Sequence, residues 1–142
     1  MIVDDTYRRG AAGPEVRVVK SSGQYRGKQG FDYHVGLTSE TAGTRAICLT
    51  VVTIPPGARA NTHLHRGIET AVYVIEGEAE MLWGDQLERP VSARAGEYIY
   101  VPADVTHSVM NNSSTTCVAV VAHSAANDQE GIVLRPELDG AT

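Results

Sequence analysis

The stretch THLHRGIETAVYVIEG, residues 62–77, decides how this chain is read. Two histidines, His63 and His65, stand one residue apart. Side chains at i and i+2 leave the same face of a strand, so both imidazoles would project together, with Leu64 on the other side. That arrangement suits two ligands on one metal ion. An acid, Glu69, follows, and a run of β-branched and aromatic residues then closes at Gly77. A further histidine, His107, comes after the turn-like PADVT and stands four residues before Asn111. Divalent Zn, Fe, Ni and Cu accept imidazole readily, and Mn takes mixed histidine and carboxylate sets.

Outward from this stretch the chain reads as short strands separated by turn chemistry. Strands are expected over 31–37, 44–54, 60–65, 70–75, 78–83, 98–101, 107–110 and 116–123, with a weaker one over 131–134. Breakers lie between them, at 38–43, 55–57, 66–67, 76–77, 85–94, 102–104 and 111–115. Many short strands with regular breaks argue for an all-β sandwich or barrel. No helix is expected beyond one turn within 125–130. Residues 1–28 are polar and read as an N-terminal arm with a short strand over 16–19. Residues 29–142 read as one domain, which suits a chain of 142 residues with 42% hydrophobic side chains.

The formal net charge is −5, and the 12 lysines and arginines form no run longer than Arg8-Arg9. Nucleic acid or an anionic membrane would need a basic face, so neither is an expected partner. The first residues, MIVDDTYRRG, carry early acids and no apolar stretch, unlike a secretory signal. Cys48 and Cys117, the two cysteines, each sit in an apolar run and do not make a disulfide framework. A cytoplasmic protein with core cysteines is the expectation.

An HxH pair alone would also fit two solvated histidines on an exposed strand. The flanking residues change that. Gly57 stands six before His63, and Gly96, Pro102, His107 and Asn111 form a second block. Together these resemble the paired motifs of the cupin superfamily, G-x5-H-x-H-x(3 or 4)-E-x6-G and G-x5-P-x-G-x2-H-x3-N. Gly57, His63, His65, Glu69 and Gly77 match the first. Gly96, Pro102, His107 and Asn111 match the second, with Asp104 where the family has glycine. The resemblance covers roughly residues 47–123. It implies a double-stranded β-helix, the jelly-roll or cupin barrel, with one divalent metal inside. Carried over, the ligands are His63, His65 and His107.

One spacing departs from the motif. The family's glutamate lies six residues before the closing glycine, whereas TAVYVIE puts seven residues between Glu69 and Gly77. Counted back without gaps, the glutamate position falls on Thr70. A one-residue slip turns a side chain to the opposite face, while a bulge at the start of the strand would restore it. If Glu69 is out of the sphere, water, His123 or His34 could complete it. His123 ends VAVVAH, and in a jelly roll that last strand runs antiparallel beside the one starting at Thr70. His123 is therefore the better placed of the two, as fourth ligand or as acid/base; Glu69 is the alternative in both roles.

Alternation puts either Val72 and Val74 or Tyr73 and Ile75 inside. Thr70, Met81, Trp83, Tyr98, Tyr100 and His34 are further candidates for the pocket wall. A mostly apolar pocket around a cation suits a hydrophobic small molecule bearing a carbonyl or an aromatic ring. Neutral imidazoles leave the metal a strong Lewis acid, which favours zinc, with iron, manganese or nickel as alternatives. Three functions follow: a cyclase resembling the small cupins that fold aromatic polyketides, a non-heme dioxygenase with Glu69 in the sphere, and a non-catalytic ligand-binding or sensing cupin. Jelly rolls leave strand edges that a second subunit can cover, so a homodimer is expected.

Overall fold

The computed structural model describes residues 14–21 and 23–140. Among these residues, eleven strands build two antiparallel sheets. They are β1 (Gln24–Arg26), β2 (Asp32–Leu37), β3 (Cys48–Ile54), β4 (His63–His65), β5 (Thr70–Glu76), β6 (Glu78–Trp83), β7 (Arg89–Arg94), β8 (Tyr98–Val101), β9 (His107–Met110), β10 (Cys117–His123) and β11 (Ile132–Leu134). One sheet has the order β1-β2-β3-β10-β5-β8 and the other β11-β4-β9-β6-β7. This is the expected all-β jelly roll.

The period-two pattern explains which faces meet. In β3, Cys48, Thr50, Val52 and Ile54 are buried, and in β10 so are Cys117, Ala119, Val121 and His123. Their partners on the other sheet include Ala79 and Ala93. Residues that alternate along each strand close one shared core. Val72 and Val74 take the inward phase of β5, and Tyr73 and Ile75 face out. Ala60, Ala79 and Ala119 are small, so the two faces do not fill the space between them, and a cavity remains.

Several expectations need correction. Residues 85–94 were expected as a breaker, yet Arg89–Arg94 pairs with β6 along its whole length. It is an edge strand and almost wholly exposed, so no apolar alternation marks it, and an edge tolerates Pro90. A four-residue helix, α1 (Ser39–Ala42), occupies an expected turn, capped by Thr38 and ended by Gly43 in the left-handed region. The 44–54 strand begins only at Cys48, and the 60–65 strand only at His63. Before His63 the chain changes partners, because Ala60 N–H bonds Val109 O while Asn61 N–H bonds Gln29 O. The arm expected over 1–28 contains β1, which pairs with β2. Residues 16–19 form no strand, and residues 1–13 lie outside the described residues.

Gly77 turns the chain from β5 into β6 with φ 78°, and a Cβ there would stand 2.5 Å from Thr116 O. Both the left-handed backbone and the backbone contact penalise a side chain. Gly77→Ala is expected to lower stability by roughly 2–4 kcal/mol in urea unfolding. A loss below about 0.5 kcal/mol would show that the turn relaxes freely.

Candidate metal centre

His63 and His65 share the inner face of β4, 3% and 4% exposed. β4 is held on both sides: β11 pairs with it along its length, and on β9 His107 lies directly opposite His63. The ring centroids of His63 and His107 are 4.4 Å apart, and those of His65 and His107 5.7 Å. One potential ligand atom from each of the three lies within 4.8 Å of the others.

Two of the rings are oriented by the backbone. His63 Nδ1 stands 2.7 Å from Asn61 O, and His107 Nδ1 stands 2.9 Å from Val105 O. A carbonyl only accepts, so each Nδ1 carries the proton and each neutral ring keeps its lone pair on Nε2. A carbonyl on the far nitrogen is the usual support of a metal-bound histidine.

The fourth imidazole comes from the opposite sheet. His123 ends β10 in register with Thr70 on β5. Its ring centroid is 4.6 Å from that of His65. Its Nδ1 lies 2.8 Å from Thr70 Oγ1. His123 Nε2 and His65 Nδ1 are buried with no hydrogen-bond partner among the described residues. Buried polar atoms rarely go unpaired without a ligand, ion or water to serve them.

Burial dominates the electrostatics. Desolvation, together with the neighbouring imidazoles, pulls His63 down to about 3 and His65 to about 2. His107 is lowered by burial as well. Burial pulls His123 down to about 4, although Asp128 opposes the shift. All four rings are neutral near pH 7, the form that binds metal. Converging neutral imidazoles with orphaned nitrogens fit a divalent cation, with zinc, iron, nickel and copper all compatible with the donor set.

The cavity has a volume of about 60 Å³. The four histidines, Thr70, Gln29 and Tyr33 bring polar groups to its lining; aliphatic and aromatic side chains form the rest, among them Val72, Val74 and Met81. Among the described residues, no carboxylate lines it.

Glu69 does not join the cluster. The β5–β10 register runs unbroken from Thr70 to Val74, and its irregularity falls at Val118/Ala119, the far end of the pair. Without a bulge at the start of β5, Thr70 points in and Glu69 points out. The Glu69 carboxylate accepts from Tyr100 O–H on the exposed surface, and its backbone N–H donates to Ser124 Oγ. His34 lies elsewhere, 3.3 Å from Thr53 Oγ1 and away from the cavity. Trp83, Tyr98 and Tyr100 line a separate outer groove, because Ile99 and Val101 take the inward phase of β8. Cys48 and Cys117 are buried free thiols in the core, and burial pushes Cys48 up to about 11. Gln29 was missed: it belongs to a stretch read as a featureless polar arm and its margin.

The family description "Cupin domain" matches residues 50–123 of the 142. The chain is a cupin. Its relatives include the polyketide synthase CurC of Streptomyces cyaneus, 31% identical over 84 residues. That match spans 59% of this cupin and 53% of the relative, so the chain covers about half the length of that protein. Among solved structures, an uncharacterized Klebsiella pneumoniae protein with a double-stranded β-helix domain superposes with TM-score 0.61 at 24% identity, covering 82% of this cupin and 89% of that chain. A predicted oxalate decarboxylase of Thermotoga maritima gives 0.64 at 20% identity, covering 77% and 99%. Bacillus subtilis oxalate decarboxylase, described for its Mn(II) centers, gives 0.64 at 21%, covering 83% of this cupin and 30% of that chain. At these identities the three structures speak to the fold. Among the described residues, no helix is long and apolar enough to cross a membrane.

Proposed function

We propose that this cupin is a metal-dependent enzyme acting on a hydrophobic carbonyl compound, a cyclase that promotes enolisation and ring closure in a polyketide-like substrate. The observation that carries this reading is a cluster of four neutral imidazoles facing a mostly apolar cavity, with no carboxylate among the described residues that line it. The likeness to a polyketide synthase supports it.

His63, His65 and His107 would hold the ion. A bound divalent cation supplies Lewis acidity that polarises a carbonyl oxygen. His123 reaches the same space from the opposite sheet, and Thr70 Oγ1 fixes its ring through Nδ1. Its free Nε2 takes the proton from the carbon next to the carbonyl and later returns it. The apolar wall excludes water and holds the chain folded for ring closure. A water needs about 10–15 Å³ of such space, so a 60 Å³ cavity takes a short carbonyl unit, with the rest of a longer substrate outside.

The test compares wild type, Glu69→Ala and His123→Ala. Metal content is measured after purification without added metal, and deuterium uptake at the central carbon of acetylacetone is followed by NMR. Wild type and Glu69→Ala are expected to carry metal and exchange alike. His123→Ala is expected to keep its metal and lose about 10²–10⁴-fold in exchange rate. Loss of metal from His123→Ala would make it a fourth ligand instead of a base. Copurified iron with O₂ uptake and no exchange would favour a dioxygenase.

A further inference from the structure

Gln29 lines the cavity, and the proposed mechanism leaves its amide unused. It sits in the turn between β1 and β2, 2% exposed, with its side chain on the cavity wall. A chain of hydrogen bonds fixes which end of its amide is which. Lys28 N–H donates to Gln129 Oε1 at 2.9 Å, so Gln129 presents its Nε2 as donor. Gln129 Nε2 donates to Asp128 Oδ2 at 3.0 Å and to Gln29 Oε1 at 3.1 Å. The oxygen of Gln29 is therefore occupied, and both protons on its Nε2 remain, with no acceptor meeting them among the described residues.

The turn is shaped around this side chain. A Cβ on Gly27 would stand 2.6 Å from Gln29 Oε1 and 2.7 Å from the Tyr33 ring, so glycine makes room for the amide to fold back. The same turn reaches the metal centre through the backbone: Gln29 O accepts from Asn61 N–H, and Asn61 O accepts from His63 Nδ1. An amide edge that lines a cavity and makes no hydrogen bond of its own is open to an acceptor that a ligand brings.

We propose that Gln29 Nε2 is a second recognition point for the substrate. It binds an oxygen other than the one at the histidines. The ligand class is a compact molecule with two oxygen functions on an apolar frame, such as a 1,3-dicarbonyl or its enolate. A lone ketone satisfies the histidines and leaves Gln29 unpaired. The amide discriminates between the two, because a ligand without the second acceptor covers its donors and leaves them unpaired. This inference rests on the carbonyl-binding reading above.

The test is calorimetric titration of the zinc-loaded protein with acetylacetone and with 2-pentanone, which has the same carbon chain and one oxygen fewer. Wild type is expected to prefer the diketone. Gln29→Met, similar in shape and without donors, is expected to weaken acetylacetone binding about ten- to hundredfold and to leave 2-pentanone within about twofold. A purely structural role would weaken both ligands alike. Equal losses, or none, would overturn the inference while leaving the carbonyl reading intact. A wild type that binds neither ketone would overturn the carbonyl reading, and this inference with it. If Gln29→Met does not fold, Gln29→Glu answers the same question, since it keeps an oxygen for Gln129 and removes both donors.

Discussion

His107→Ala is expected to lower metal affinity by at least about a hundredfold, measured by competition with a chromophoric chelator. Supporting groups behind a ligand are worth 10–100-fold, and loss of the ligand itself should exceed that. The position is chosen for its geometry. His107 is the single residue of β9 in the cluster, opposite His63 and stacked over His65. Its Nδ1 is tied to Val105 O, so the ring cannot be replaced by a rotamer of a neighbour. His34→Ala is the matching control, since that ring lies outside the cavity and should leave affinity unchanged. An affinity within about threefold of wild type would mean that the three-histidine group is not the metal site.

Acid should unfold the metal-free protein early and steeply. The native state holds His63 at about 3, His65 at about 2 and His123 at about 4, with His107 lowered too. Unfolded, each titrates near 6.5. Between those limits the unfolded chain binds more protons, so stability is full above about pH 6.5 and falls as pH drops toward the native values. Each ring contributes up to about 1.4 kcal/mol per pH unit in that window. Several rings acting together at pH 5 remove several kcal/mol, comparable with the whole stability of a small domain. Urea melts of chelator-treated protein between pH 7.5 and 4.5 measure it. Zinc should move the transition to lower pH, because only deprotonated rings bind it. A metal-free stability that is flat from pH 7 to 5 would show the histidines to be hydrated and not desolvated.

Much of the site was legible because it obeys simple periodicities. His63 and His65 share a face because strands alternate, and His107 announced itself through the glycines and proline around it. The adjacency of His123 and Thr70 follows from antiparallel pairing and is seen in the register. The seven residues between Glu69 and Gly77 left two outcomes open, and the unbroken ladder decides for an outward Glu69. Other features carried no periodic signal. Tyr98 and Tyr100 suggested a pocket wall by size, but on β8 the smaller Ile99 and Val101 hold the inward phase. The edge strand Arg89–Arg94 buries only Ala93 and so shows no alternation. Gln29 lies in a turn, and its role depends on Gln129, 100 residues away, a pairing that no local pattern encodes.

His63, His65 and His107 all stand on one sheet, and His123 and Thr70 on the other. The spacing between His123 and the three-histidine group is thus a property of core thickness. Val74, Ala79 and Ala119 are part of what sets that thickness. A single methyl added to one of them would enter the cavity that all three line, taking ligand space while leaving the histidines where they stand. On the proposed reading, reaction rate would then fall at constant metal content, a form of tuning open to drift at positions that hold no metal.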